Sequence, residues 1–357
     1  MDLAFIHPAL DSLPPAARRC LARPDAASAF HLDAWFQILA AACASSTTQP
    51  WLVASDDGGL VAPLVRHAGG RGRHAGSWTN FYSCDFTPLR GALPPGEQAE
   101  LLARTLSALR PRIATLHLQR METAGAAPEA LAMALRAAGW WTKTYVETGT
   151  WHEPVAGIGH GAFLASRAPR LQDIVARATR RLAAQPAARM TIASAGPALE
   201  DALAAYLDVH ARSWKPPEPY ARFVPCFVRG FARLGILRIG VATIRGRPIA
   251  AQIWIVWQRR ATIAKLAHDE AARHLSPGTA LTDWMIARAI DAGDVDQIDF
   301  GPGDQPYKRM WLRQRRPVMA LLAGDPRTLG GAVAGLRGLA GRLLGALTRT
   351  RDAAPAR

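Results

Sequence analysis

The chain is 357 residues long, 49% hydrophobic and 20% charged, which excludes the disordered class and suits two cores better than one. Its most apolar stretch, Ile249 to Trp257, is strand-sized, far short of the roughly 20 residues of a membrane-spanning helix. The net charge of +15 admits an anionic partner (nucleic acid, an anionic membrane surface or a phosphate-rich cofactor), but the basic residues are scattered rather than striped, so DNA is not expected.

Asp2 and His7-Pro8 stand where a signal peptide would carry basic and apolar regions, so a cytoplasmic location is expected. Cys20, Cys43, Cys84 and Cys226 have no CxxC spacing and read as reduced thiols. Only Lys143, Lys215, Lys265 and Lys308 among the 43 basic residues are lysine. A coding bias toward Arg explains the ratio. Under such a bias, lysine is retained where a compact ammonium cannot be replaced by a forked guanidinium.

In chain order, His31 to Cys43 reads as a helix with an apolar stripe at Leu32, Trp35, Phe36 and Leu39. Strands are expected at Trp51–Ser55 and Leu60–Arg66, joined by the turn Asp56-Asp57-Gly58-Gly59. After a Gly-rich loop (67–87) come a helix (96–109), a strand (113–119), a helix (128–138) and a strand (140–148). A second unit starts near Trp151, with a helix over 163–184, a short strand at 190–193 and a long helix over 197–214. Strands at 237–244, 248–257 and 260–268 follow, then a helix over 279–292 and a strand at 297–300. A Gly-rich loop leads into Pro306–Trp311. The expected class is α/β with mixed sheets and two similar halves: residues 1–150, 151–320, and a Gly/Arg-rich C-terminal helix and tail at 321–357. In the tail, Leu329, Val333, Leu336, Leu339, Leu343 and Leu347 recur at helical spacing among Arg337, Arg342 and Arg349. Packing on its own domain is the expected role, with weak membrane-surface contact as the alternative.

Three segments concentrate chemistry. Ser276-Pro277-Gly278-Thr279 lies between a strand and a helix, where exposed N–H groups and the helix dipole suit a pyrophosphate. These four residues are the candidate cofactor-binding set; an ordinary capped helix start is the alternative. In the segment 299–311, Asp304, Tyr307 and Lys308 crowd a strand terminus. Acyl transfer from a thioester to an amine needs a base, oxyanion donors and an acid for the thiolate. Asp304 suits the base, Tyr307 the acid and Lys308 an electrostatic partner; an Asp304–Lys308 structural ion pair is the equal alternative. Trp214 and Lys215 sit on a Pro-stiffened loop (213–220) able to wall a substrate cleft or simply to end a helix. Lys265, mid-strand, is the fourth catalytic candidate if its face opens to a cleft, with edge protection as the alternative. The ten histidines show no HExxH or paired ligand spacing, so no metal is expected, and GxSxG and P-loop motifs are missing.

Taken together, SWK (213–215), LRIGVATIRGRPIAAQIWIVW (237–257), KLAHDE (265–270), LSPGTAL (275–281) and DFGPGDQPYKRMW (299–311) resemble the GNAT acyltransferases of the CelD type. These are tandem-GNAT proteins related to the Fem-type peptidoglycan aminoacyl transferases and often found near exopolysaccharide or cellulose genes. The first half is similar more loosely, through FHLDAWFQILAAA and LVAPLVR. The resemblance implies two tandem GNAT-like folds, the first degenerate, and an N-acetyltransferase or N-acyltransferase using acetyl-CoA or another acyl-CoA. The acceptor it implies is an amine of a sugar, amino acid or envelope or exopolysaccharide precursor. It directs interest to Lys215, Lys265, Ser276, Gly278, Asp304, Tyr307 and Lys308. SPGT stands where the family's usual phosphate loop would be. The alternatives are aminoacyl-tRNA as donor, less expected because no long coiled-coil arm is seen, and a non-catalytic accessory module.

Overall fold

The computed structural model describes residues 5–22, 26–55, 60–67, 73–88, 90–91, 94–109, 113–122 and 127–335. Its elements run β1 (Phe5–His7), α1 (Pro15–Leu21), α2 (Asp33–Ala42), β2 (Thr48–Ala54), β3 (Leu60–His67), β4 (His74–Ser77), β5 (Arg90–Gly91), α3 (Pro95–Ala108), β6 (Thr115–Glu122), α4 (Ala127–Ala137) and β7 (Trp141–Pro154). They continue with α5 (His160–Ala165), α6 (Pro169–Ala183), β8 (Arg189–Ala193), α7 (Gly196–Ala211), α8 (Phe223–Ala232), β9 (Leu237–Ile244), β10 (Arg247–Trp257), β11 (Arg260–His268), α9 (Pro277–Asp291), β12 (Gln297–Pro302), α10 (Pro306–Trp311) and β13 (Gln314–Gly324).

Two compact units emerge. The first comprises Met1–Arg23, Ala44–Glu147 and Pro317–Arg357; the second comprises Pro24–Cys43 and Thr148–Arg316. In the first, β1, β2, β3 and β4 pair antiparallel in sequence order. β4 then runs parallel to β6, and β6 is antiparallel to β13. A parallel neighbour needs a crossover, and α3 lies within the connection that supplies it. Leu102 and Leu106 of α3 and Leu131 and Leu135 of α4 bury against Leu116, Leu118 and Leu321.

The second unit repeats this order of pairings. β8, β9, β10 and β11 pair antiparallel, α9 crosses over, β12 runs parallel to β11, and residues 150–154 of β7 pair antiparallel with β12. Its core joins Leu171, Val175 and Leu182 of α6 and Leu281, Met285 and Ile286 of α9 to Trp254, Ala261 and Ile298 of the strands. The strands are β-branched and apolar, and α6 keeps one apolar stripe, as burial on one face requires. α2 packs on α8 through Trp35, which stacks on Phe231 at 6.2 Å and meets Phe223 and Phe227 edge-on.

Two expectations need correction. The helix read over 163–184 is two helices: Ala168 is extended (ψ 143°) ahead of Pro169, which opens α6. Gln314–Gly324, whose last four residues fall in the expected C-terminal helix and tail, is a strand with six of its residues paired to β6. α1, β1, β4 and α8 were not anticipated. Of the expected C-terminal helix, residues 329–335 are helical. Its remaining leucines and arginines, like the 56–59 turn, lie outside the described residues. Among the described residues no helix is long and apolar enough to cross a membrane.

Candidate functional site

The site grows from the departure of β11 from β12. The two strands pair in parallel only from Arg260↔Gln297 to Thr262↔Asp299, although β11 runs on to His268 and β12 to Pro302. A bulge adds to the divergence: Trp254 pairs with Ile263 and Ile253 with Lys265, so Ala264 is the extra residue on β11. Beyond Thr262 the backbone groups of β11 therefore have no partners in β12. A cleft of about 560 Å³ opens there, within the second unit. Ile263, Leu266, His268 and Phe300 line it from the strands, Ser276, Gly278, Thr279 and Thr282 from α9, Tyr307 and Trp311 from α10, and Trp214 from the loop after α7.

The start of α9 faces this cleft. Ser276 adopts a left-handed conformation (φ 53°), ending a 3-10 turn (Glu270–Leu275) and opening the helix. Its carbonyl accepts from the Thr279 and Ala280 N–H groups at 3.1 and 3.2 Å. Its hydroxyl makes no capping bond. Pro277 has no N–H to satisfy, and the Gly278 N–H meets no acceptor among the described residues. That N–H sits at the positive end of a 15-residue helix. Gln252, 1% exposed within apolar β10, fixes the helix start: its amide donates to Gly278 O at 3.2 Å and Thr282 Oγ1 at 2.6 Å. Its Oε1 accepts from Trp254 Nε1. Gln252 and Thr282 were not singled out from the sequence, although one glutamine inside Ile249–Trp257 is the signal that could have found them.

On α10, Tyr307 places its ring 6.1 Å from Phe300, and burial pushes its phenol up to about 12. Lys308 is 4% exposed, and its ammonium donates to Gly301 O and Pro302 O at 3.0 and 2.8 Å, closing the turn between β12 and α10. Asp304 is outside the cleft lining. Both its oxygens accept from Arg315 at 2.8 Å and Oδ1 also accepts from Trp151 Nε1, which hold the carboxyl down at about 2 against the small opposing effect of burial. At the far end of β11, burial keeps His268 below its ordinary imidazole value, so it is neutral at neutral pH, and its ring lies 4.4 Å from that of Trp214.

Lys215 and Lys265 come together around Glu218. Lys265 donates to Glu218, and His210 Nε2 lies 3.5 Å from the same carboxylate. Neither lysine is in the cleft lining, but the Lys215 ammonium lies 5.5 Å from the centre of the Trp214 ring, which is. The structure thus gathers Trp214, Ser276, Gly278, Thr279 and Tyr307 on one cleft, while Pro277 is buried at the start of α9 and outside the lining. Lys215 and Lys265 stand beside it, and Asp304 and Lys308 are engaged in the adjoining turn. Among the described residues no group of three or more His, Cys, Asp and Glu side chains is placed to hold a metal ion.

Residues 170–309 match the family model of the acetyltransferase (GNAT) domain. The fold extends over nearly the whole chain in solved structures of low identity. FemX is 9% identical, with 85% of this chain and 94% of that one covered and a TM-score of 0.57. A conserved protein of unknown function from Bacteroides thetaiotaomicron VPI-5482 is 9% identical, with 90% and 99% covered and a TM-score of 0.56. L-PGS from Bacillus licheniformis is 11% identical, with 89% and 97% covered and a TM-score of 0.52. No curated protein matches the sequence.

Proposed function

We propose that the second unit is an N-acyltransferase whose donor is an acyl-CoA and whose acceptor is an amine of a sugar, amino acid or envelope precursor. The parting of β11 from β12 above the start of α9 carries this reading. The diphosphate of coenzyme A lies against the Gly278 and Thr279 end of α9, where the dipole and the unpaired N–H favour it. The pantetheine arm extends between the strands, and freed backbone N–H groups of β11 steady the tetrahedral oxyanion. His268, neutral in the cleft, takes the amine proton, and Tyr307 protonates the leaving thiolate. Asp304, held ionised and paired with Arg315, keeps the turn after β12 in place instead of serving as base.

The first unit supports assigning the donor to the second. Its crossover helix α3 starts with Pro94-Pro95-Gly96-Glu97, the counterpart of Ser276-Pro277-Gly278-Thr279. An acidic Glu97 in the first turn favours the helix but repels a diphosphate. Protection of the protein by coenzyme A against thermal unfolding tests the reading, together with thiol release from acetyl-CoA in the presence of candidate amines. No protection and no turnover with any donor would overturn it.

A further inference from the structure

The loop after α7 carries more positive charge than its neighbours neutralise. Glu218 is shared by Lys265 and His210. Other carboxylates of this unit have cationic or imidazole neighbours: Asp208 and Asp269 have Arg212, with Arg247 also on Asp269, Asp299 has Arg316, Asp304 has Arg315, and Glu270 lies 3.6 Å from His268 and 4.0 Å from Arg273. Lys215 is left over. Among the described residues its ammonium has no ion pair and no hydrogen bond; it rests against the Trp214 ring. Burial, then the repulsion of Lys265, opposed by Glu218 and reinforced by Lys308, brings Lys215 down to about 8. Lys215 and Lys265 therefore share the field of one carboxylate, Glu218, on which Lys265 already sits. A half-buried cation without a counterion costs stability and is a candidate functional group rather than a structural one.

We propose that Lys215 and Lys265 bind an anionic group, a carboxylate or a phosphate, carried by the amine acceptor. The placement fits: Trp214 carries the Lys215 ammonium on its ring and, with His268, walls the cleft. Two ammonium groups on flexible stems act as point charges for such an anion. The anion supplies the counter-charge that Glu218 alone does not. The role of this ligand as acceptor rests on the acyl-transfer reading above; the anion site itself does not.

Reductive methylation with 13C-formaldehyde gives separate signals for the four lysines, assigned through single Lys→Arg variants. These are followed in the full chain during titration with inorganic phosphate, with acetate, and with sodium chloride at equal ionic strength. Phosphate or acetate should move the Lys215 and Lys265 signals saturably and leave Lys143 in place, and the one saturating at the lower concentration names the anion. In Lys215→Gln the response at Lys265 should weaken at least tenfold in midpoint. A Lys215 signal that merely follows ionic strength, or moves no further than Lys143, overturns the proposal. Heat protection by coenzyme A is measured on the same samples. Protection without a Lys215 response sinks the anion site alone, whereas the response without protection sinks the donor reading alone.

Discussion

Arg167 grips Glu153 through both Nη atoms, at 3.1 and 2.9 Å, and each side chain is only 1% exposed. The same guanidinium donates to the Trp311 carbonyl at 2.7 Å, and Arg313 adds its backbone N–H and side chain to the carboxylate. One buried carboxylate thus ties β7, the turn before α6 and the end of α10, from which Trp311 lines the cleft.

Breaking that grip should be costly. Arg167→Met leaves Glu153 under-compensated in the interior and should lower unfolding free energy by about 3–5 kcal/mol. Arg313→Met, whose side chain is 62% exposed, should cost far less. Burial raises Glu153, but the Arg167 and Arg313 hydrogen bonds outweigh it and hold the group at about 2, below the ordinary 4.5. A depressed carboxylate stabilises the folded state above pH 4.5 and loses that contribution as pH falls toward 2, here about 3 kcal/mol. Denaturant melts of the native protein and of Glu153→Gln should therefore converge across that window. Parallel acid limbs would rule out the assigned partner set.

The donor assignment predicts an unusual outcome for Thr279→Glu, which converts Ser-Pro-Gly-Thr to the pattern at the start of α3. A carboxylate in the first turn favours the helix dipole, so stability should hold or rise by up to about 1 kcal/mol. The same charge faces the diphosphate and should weaken coenzyme A about tenfold or more, by calorimetric titration. Unchanged affinity would place the diphosphate elsewhere.

Much of this site is legible in the sequence, and the part that is not has a physical reason. The hairpin of β9 and β10 follows from two apolar runs around Arg245-Gly246, and SPGT from the rules for helix starts. Spacing gave Asp304 and Lys308 as neighbours one helical turn apart, but Asp304 pairs instead with Arg315, beyond α10, while Lys308 turns back to Gly301 and Pro302. Nothing local in the sequence marks Arg167 for burial, because burial of a charge depends on a partner 14 residues earlier in a different element. β13 was hidden by Arg315, Arg316 and Pro317, which look like the end of a domain although the apolar run behind them is a strand.

The proton roles separate cleanly by mutation. Tyr307→Phe should lower kcat by about 100-fold to 10,000-fold while leaving coenzyme A affinity within about twofold. Because burial holds the phenol near 12, no tyrosine limb should enter the rate profile below pH 10. Asp304→Asn should cost stability through Arg315 yet keep the shape of the pH–rate profile. An acid limb that moves in Asp304→Asn would restore that carboxylate as the base and displace His268.

Lys215 offers the last test, through stability alone. Its folded value of about 8 lies below the ordinary 10.5, so at neutral pH the charged form is penalised by folding. The penalty is complete below pH 8, and it is relieved as pH rises from 8 to 10.5, because the unfolded chain holds its proton longer. Lys215→Met should therefore be more stable than the native protein at pH 7, by at most about 3 kcal/mol, with the advantage shrinking above pH 8 and gone past 10.5. Saturating phosphate should erase the advantage at pH 7, since an anion beside the ammonium restores its charge. A variant that is less stable than the native protein at every pH would show Lys215 to be packed for structure rather than held for a ligand.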